Sequence, residues 1–181
     1  MASAVITFFL NMIRYSTPLL FASLGVLSME IAGIVNMGAE GMMIIGCLAG
    51  IAASYYLGSI WLGALVAMVV VGLFGLLFAV LVIELRINQV VLGVAFNLVG
   101  YGLTTTLNRA FFNGITLDIS FAKDSLGFSA PVYIAILLVI AAWIVLYKAK
   151  LGVQLRSVGE NPKVVESVGI SVKKLRYIAC V

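Results

Sequence analysis

The chain returns again and again to uninterrupted apolar runs long enough to cross a bilayer. Thr17–Pro18 opens one of 20 residues that closes at Asn36. Others cover Gly38–Leu57, Ile60–Ile83, Gln89–Asn108 and Pro131–Tyr147. Each approaches the roughly 20 residues that a helix needs to traverse hydrocarbon at ~1.5 Å rise per residue. No water reaches the backbone in a bilayer core, so such segments fold as helices. The sequence therefore predicts an all-α, polytopic transmembrane helical bundle. A soluble domain carries about 25% charged residues. Here charged residues are 10% and hydrophobic ones 64% of 181 residues.

Two further runs are incomplete. Residues 3–14 are apolar but short, either interfacial or a thin first span, and a span is the reading adopted. Residues 177–181 read as the start of a further span at which the sequence stops, so the chain is expected to be one transmembrane domain lacking its C-terminal helices. Met1–Ile13 has neither the basic start nor the small-residue cleavage site of a secretory signal. Cys47 and Cys180 sit in apolar runs and read as small membrane residues rather than a disulfide. Gly46 and Gly50, four apart, form a small-residue surface for close helix packing.

The net charge of +4 has one source. Lys148, Lys150, Arg156, Lys163, Lys173, Lys174 and Arg176 outweigh Glu160 and Glu166 by five charges, whereas the remainder of the chain sums to −1. A basic block between two apolar segments points to topology rather than nucleic acid, and places 148–176 in the cytoplasm. Alternation then puts Arg109–Ala130 outside, where Arg109 and Lys123 balance Asp118 and Asp124. Glu84–Asn88 falls inside, Leu57–Ile60 outside, Asn36–Gly41 at the inner side, Ser16 outside and Met1 in the cytoplasm.

Within the basic block, "GENPKVVESVGI" carries its own start and stop signals. Asn161 is a good N-cap, Pro162 fits the first helical position, and Gly169 suits the left-handed residue that ends a helix. A helix this short is unstable alone and must dock. Val164, Val165 and Val168 are expected to share an apolar docking face. The residues alone leave two readings open: a knob for a soluble subunit, or a connector lying on the bilayer.

Candidate functional groups are few. Glu30 is a carboxyl inside an apolar run, hence either a functional group or an interhelical tie. Asn36, Gly38, Glu40 and Gly41 form a break between two runs, which either lines a cavity or is a plain turn. Asn88 and Asn97 border or enter the fourth run; Asn97 is the better candidate for polar lining, with interhelical hydrogen bonding as its alternative. With no histidine, His-based catalysis and His metal sites are excluded. There is no phosphate-binding Gly-x-x-x-x-Gly-Lys-Ser/Thr loop, so ATP hydrolysis is not expected here. Nothing calls for a cofactor or a metal. A membrane-embedded enzyme using Glu30 or Glu40 lacks a second catalytic group nearby. A proton-coupled carrier with Glu30 as its proton site is the stronger rival.

Three stretches together resemble the permease subunits of ABC importers that serve branched-chain amino acids, simple sugars and nucleosides. "LGVQLRSVGENPKVVESVGI" is similar to that family's cytoplasmic loop, through Gly152, Leu155–Arg156, Gly159–Glu160–Asn161–Pro162 and Gly169–Ile170. "EIAGIVNMGAEGMMIIG" (30–46) and "RINQVVLGVAFNLVGYGLT" (86–104) match two further signatures, closest to the nucleoside-type branch. The chain departs from the family pattern at Val164–Val165, where alanines are frequent, and at Ile31, where a basic residue is common. The resemblance implies a type II-like permease fold and a helix that couples to an ATPase. The implied coupling residues are Arg156, Gly159, Glu160, Asn161, Pro162, Val164, Val165, Val168 and Gly169. It also implies a translocation path, for which Glu30, Asn36, Glu40 and Asn97 are the candidates. The implied partners are a cytoplasmic ABC ATPase, a second permease subunit and an extracytoplasmic binding protein. The implied location is the bacterial inner membrane and the implied substrate a nucleoside, with simple sugars and branched-chain amino acids as alternatives.

Overall fold

A computed structural model describes residues 2–112 and 130–180, with side chains from residue 5 onward. Asp118, Lys123 and Asp124 of the expected outer loop lie outside the described residues. Eight helices follow in order: α1 Ala2–Ile31, α2 Ala39–Leu57, α3 Ile60–Ile83, α4 Gln89–Phe112, α5 Ala130–Lys148, α6 Lys150–Glu160, α7 Pro162–Ser167 and α8 Val172–Cys180. No strand occurs among the described residues. The first five are long and apolar enough to cross a membrane, α3 being the most apolar. The described helices make the chain a polytopic α-helical bundle, as expected.

One expectation fails at the start. Separate spans at 3–14 and 17–36, with Ser16 in an outer turn, are replaced by one continuous helix over Ala2–Ile31. Pro18 lies inside it. Proline withholds the N–H that the Arg14 carbonyl would accept, a loss that membrane helices tolerate. Just before it, Ser16 Oγ donates to the Met12 carbonyl at 2.8 Å, and Thr17 Oγ1 to that of Ile13 at 3.0 Å. The helix stops instead at Gly33. This residue has φ +78°, its N–H donates to Glu30 O at 2.9 Å, and the Ile34 N–H donates to Met29 O at 3.0 Å. That pair of bonds, with Met29 and Ile34 in one apolar cluster, is a Schellman motif.

α2 packs between α3 and α4. Its two interfaces are made by missing side chains. A Cβ on Gly46 would meet Val71 of α3 at 2.5 Å, and one on Gly50 would meet Ala67 at 3.3 Å, which is the small-residue packing expected of that pair. On the α4 side the approach is backbone to backbone: a Cβ on Gly41 would lie 2.5 Å from Phe96 O, and one on Gly100 2.7 Å from the Gly41 Cα. Phe78 and Phe96 pack edge to face beside this contact, their centroids 5.4 Å apart.

The other helices form a second packing unit. α1 lies against α5, α6 and α8, and α8 reaches across to α3. Ala32, Leu146, Leu155, Val158, Val165, Val172, Leu175 and Ala179 close an apolar cluster contributed by α5 to α8 and the end of α1. Glu84, at the end of α3, pairs with Lys173 of α8 at 2.8 Å.

The glycine interface makes a testable contrast. Gly41→Ala forces α2 and α4 apart and is expected to cost about 1–3 kcal/mol, the usual penalty for overpacking. Gly72→Ala, with nothing within 4 Å of the new methyl, should be neutral or slightly stabilising. Thermal unfolding of the detergent-solubilised protein measures both; equal melting temperatures would show that the α2–α4 contact is looser than described.

Candidate functional site

Several helix ends gather on one side of the bundle. α5 turns directly into α6 there, Gly159 of α6 meets the end of α1, Glu84 of α3 pairs with α8, and Gln89 of α4 binds Val35. Two assemblies of candidate residues occupy this end.

The first is the break between α1 and α2. A chain that leaves a helix exposes N–H and C=O groups, and each needs a partner. Asn36 is buried; its Oδ1 accepts from Gly38 N–H at 2.9 Å, and its Nδ2 donates toward the sulfurs of Met29 and Met42 at 3.3 and 3.8 Å. Asn97 reaches across from α4, accepting from Gly41 N–H at 2.7 Å and donating to Met37 O at 3.0 Å. Gln89 Oε1 accepts from Val35 N–H at 2.6 Å. Asn88 caps α4, accepting from the N–H groups of Val90 at 3.0 Å and Val91 at 3.4 Å. Asn36 and Asn97 thus meet around one stretch of backbone, and Gln89, which sequence reasoning passed over, joins them. Its signal was its place beside an N-cap asparagine.

The two carboxylates stand apart from this cluster. Glu30 is exposed in the last turn of α1, not deep within a span, because Gly33 ends the helix earlier than the apolar run suggests. Glu40 is exposed in the first turn of α2, where a negative charge complements the helix dipole.

The second assembly is α6–α7. Both capping expectations hold. Asn161 accepts from Val164 N–H at 3.4 Å, Pro162 occupies the first helical position, and Gly169 has φ +82°. Gly169 N–H donates to Glu166 O at 3.0 Å and Ile170 N–H to Val165 O at 3.3 Å, a second Schellman motif. The expected common face of Val164, Val165 and Val168 is corrected. Val165 is 5% exposed and belongs to the internal cluster, whereas Val164 is 56% and Val168 71% exposed. Consecutive helical residues lie about 100° apart, so Val165 turns inward while Val164 and Val168, four apart, share the outer face.

The resemblance-derived coupling residues divide the same way. Glu160 and Asn161 are exposed. The Arg156 guanidinium donates to the Leu146 carbonyl at the end of α5 and stacks over Tyr147, 4.3 Å from its ring centroid. Gly159 is open on one side, but a Cβ there would collide with Ile31 O.

Removing the cross-helix amide tests the first assembly. Asn97→Leu leaves the Gly41 N–H and the Met37 carbonyl unpaired, and is expected to destabilise the protein by about 1–3 kcal/mol. Thermal unfolding in detergent reads this, and an unchanged melting temperature would show that water replaces the amide.

The chain matches known proteins along nearly all its length. The family described as branched-chain amino acid transport system / permease component matches residues 8–181. The nucleoside ABC transporter permease protein NupC of Lactococcus lactis subsp. cremoris is 34% identical over 92% of this chain and 60% of its own length. The guanosine ABC transporter permease protein NupQ of Bacillus subtilis is 33% identical, covering 91% of this chain and 59% of that protein. The putative glucose ABC transporter permease protein TsgC13 of Haloferax volcanii is 34% identical over 93% and 56% respectively. The chain thus spans about 60% of the length of these curated relatives. No solved structure matches. With its membrane-length helices and a match from residue 8 to its last residue, the chain belongs to the branched-chain amino acid transport system permease component family.

Proposed function

We propose that this chain is the permease subunit of an ABC importer in a bacterial inner membrane, and that α7 is the helix through which a separate ATPase drives it. The observation that carries this reading is the build of α7. A six-residue helix is too short to persist alone, yet it is capped at both ends, anchored from inside by Val165, and presents Val164 and Val168 outward. An anchored helix with an unpaired apolar outer face suits insertion into a partner's groove. Hydrolysis takes place in the partner; a second permease subunit completes the path, and an extracytoplasmic binding protein delivers the substrate. Two of the relatives named above are nucleoside and guanosine permeases, which favours a nucleoside as the substrate. The break at 32–38, with Glu30 and Glu40 on either side, lies on the side where α7 acts, and supplies the candidate path residues Glu30, Asn36, Glu40 and Asn97.

Two experiments test the reading. Ser157, exposed on α6, should label as Ser157→Cys only from the cytoplasm in a background lacking the native cysteines, while Ser59→Cys should label from outside. Reversed accessibility inverts the topology and removes α7 from the ATPase's compartment.

Val168→Asp places an unpartnered charge in a desolvated contact. The variant permease should stay in the membrane, lose its ATPase on co-purification, and lose substrate-stimulated ATP hydrolysis. Lys163→Ala should behave as the parent. If Val168→Asp retains the ATPase with normal turnover, α7 is a connector only. Uptake that survives collapse of the proton gradient separates the importer from a proton-coupled carrier.

A further inference from the structure

Gly159 and Arg176 make contacts that a role at the partner surface does not explain. Gly159 sits one residue before the end of α6, and the Cβ position of Gly33 is only 3.4 Å from its Cα. Its own absent Cβ faces Ile31 O. Two main chains therefore touch with no side chain between them. Immediately beside this contact Arg176 Nε, from α8, donates to Ala32 O at 3.3 Å, and one of its terminal nitrogens lies 3.5 Å from the Gly33 Cβ position. A guanidinium at this point faces the negative end of the α1 dipole. Beneath both, Ala32 of the α1 end, Val158 of α6 and Val165 of α7 share one cluster, and the first two are fully buried.

A flexible side chain in a joint can change rotamer and absorb a small displacement. A backbone-to-backbone contact over a close-packed cluster has no such slack, because packed interiors are poorly compressible. We infer that Gly159 and Arg176 are positioning residues that bolt the α6–α7 loop to the end of α1, so that a displacement of α7 reaches α1 as rigid movement. This deepens the permease reading and rests on it. Gly159 then acts inside the permease, and the partner-facing part of the motif narrows to Glu160, Val164 and Val168.

The test uses the full-length permease assembled with its ATPase and binding protein in proteoliposomes. The readout is substrate imported per ATP hydrolysed, which a residue serving stability alone does not change in the complexes that survive. In Gly159→Ala and in Arg176→Gln the ATPase should still co-purify and hydrolyse ATP, while import per ATP falls on the order of tenfold. Lys174→Gln, which removes an exposed positive charge two residues from Arg176, should leave the ratio unchanged. An unchanged ratio in both joint variants overturns the inference. Loss of the ATPase from Gly159→Ala also overturns it, since that places Gly159 in the partner interface. If the joint variants fail to reach the membrane, spin labels decide the matter. Labels at Leu27→Cys and Lys163→Cys, in an otherwise functional chain lacking its native cysteines, should keep one distance in the nucleotide-free and ATP-trapped complexes. A shift between those states overturns the rigid joint. A parent permease that neither binds the ATPase nor imports with ATP fails the permease reading itself, which is distinguishable from a working parent whose variants keep their ratio.

Discussion

A polypeptide that leaves a helix close to hydrocarbon must find partners for its released backbone groups without relying on water. The passage from α1 to α2 is where this chain meets that demand most acutely, and much of the bundle is arranged around the answer. Asn36 satisfies Gly38 from within the break, Asn97 reaches over from α4 to hold Gly41 and Met37, and Gln89 takes Val35. These bonds need α4 close to α2. The closeness comes from glycine, since Gly41 and Gly100 meet with no side chain between them. Hydrogen bonding and packing are thus one requirement: widen the interface by a methyl group and the amide of Asn97 loses its reach.

The helix content was legible from apolar run length, and α2 to α5 agree with their runs to within a few residues at each end. The caps around Asn161, Pro162 and Gly169 were equally legible, because they depend on local chemistry that three residues specify. Two features were not. Pro18 reads as a start signal, as it is in water, yet α1 runs through it from Ala2 to Ile31, because a membrane helix tolerates one missing N–H. In the sequence Val165 groups with Val164 and Val168, because three valines in two turns look like one stripe. Which of them turns inward is decided by Ala32, Val158 and Leu175, which come from elsewhere in the chain.

The same limit applies to the polar residues. An amide or a carboxylate in an apolar run stands out by composition, but composition does not say which backbone group lies opposite. Asn36 and Asn97 are engaged with the break, whereas Glu30 and Glu40 remain outward on either side of it. Gly33 carries a readable helix stop, a glycine followed by isoleucine after a long apolar run, which is a Schellman signal. Its other contact, with Gly159, joins residues more than a hundred positions apart and has no trace in either local sequence.

The contact between α2 and α4 also bears on how these helices live in lipid. Glu40 and Ser54 in α2, and Gln89, Asn97, Thr104, Thr105, Thr106, Asn108 and Arg109 in α4, make both helices less greasy than α3, which carries no such groups. Taken singly they gain less from leaving water than α3 does, and their contact offsets part of this by pairing Asn97 of α4 with the backbone of Gly41 and Met37. Residence in the bilayer is therefore a shared property of the three, with α3 as the self-sufficient member. Damage to the α2–α4 contact is then felt twice, once as lost packing and again as weakened hold on the membrane by two helices that depend on company.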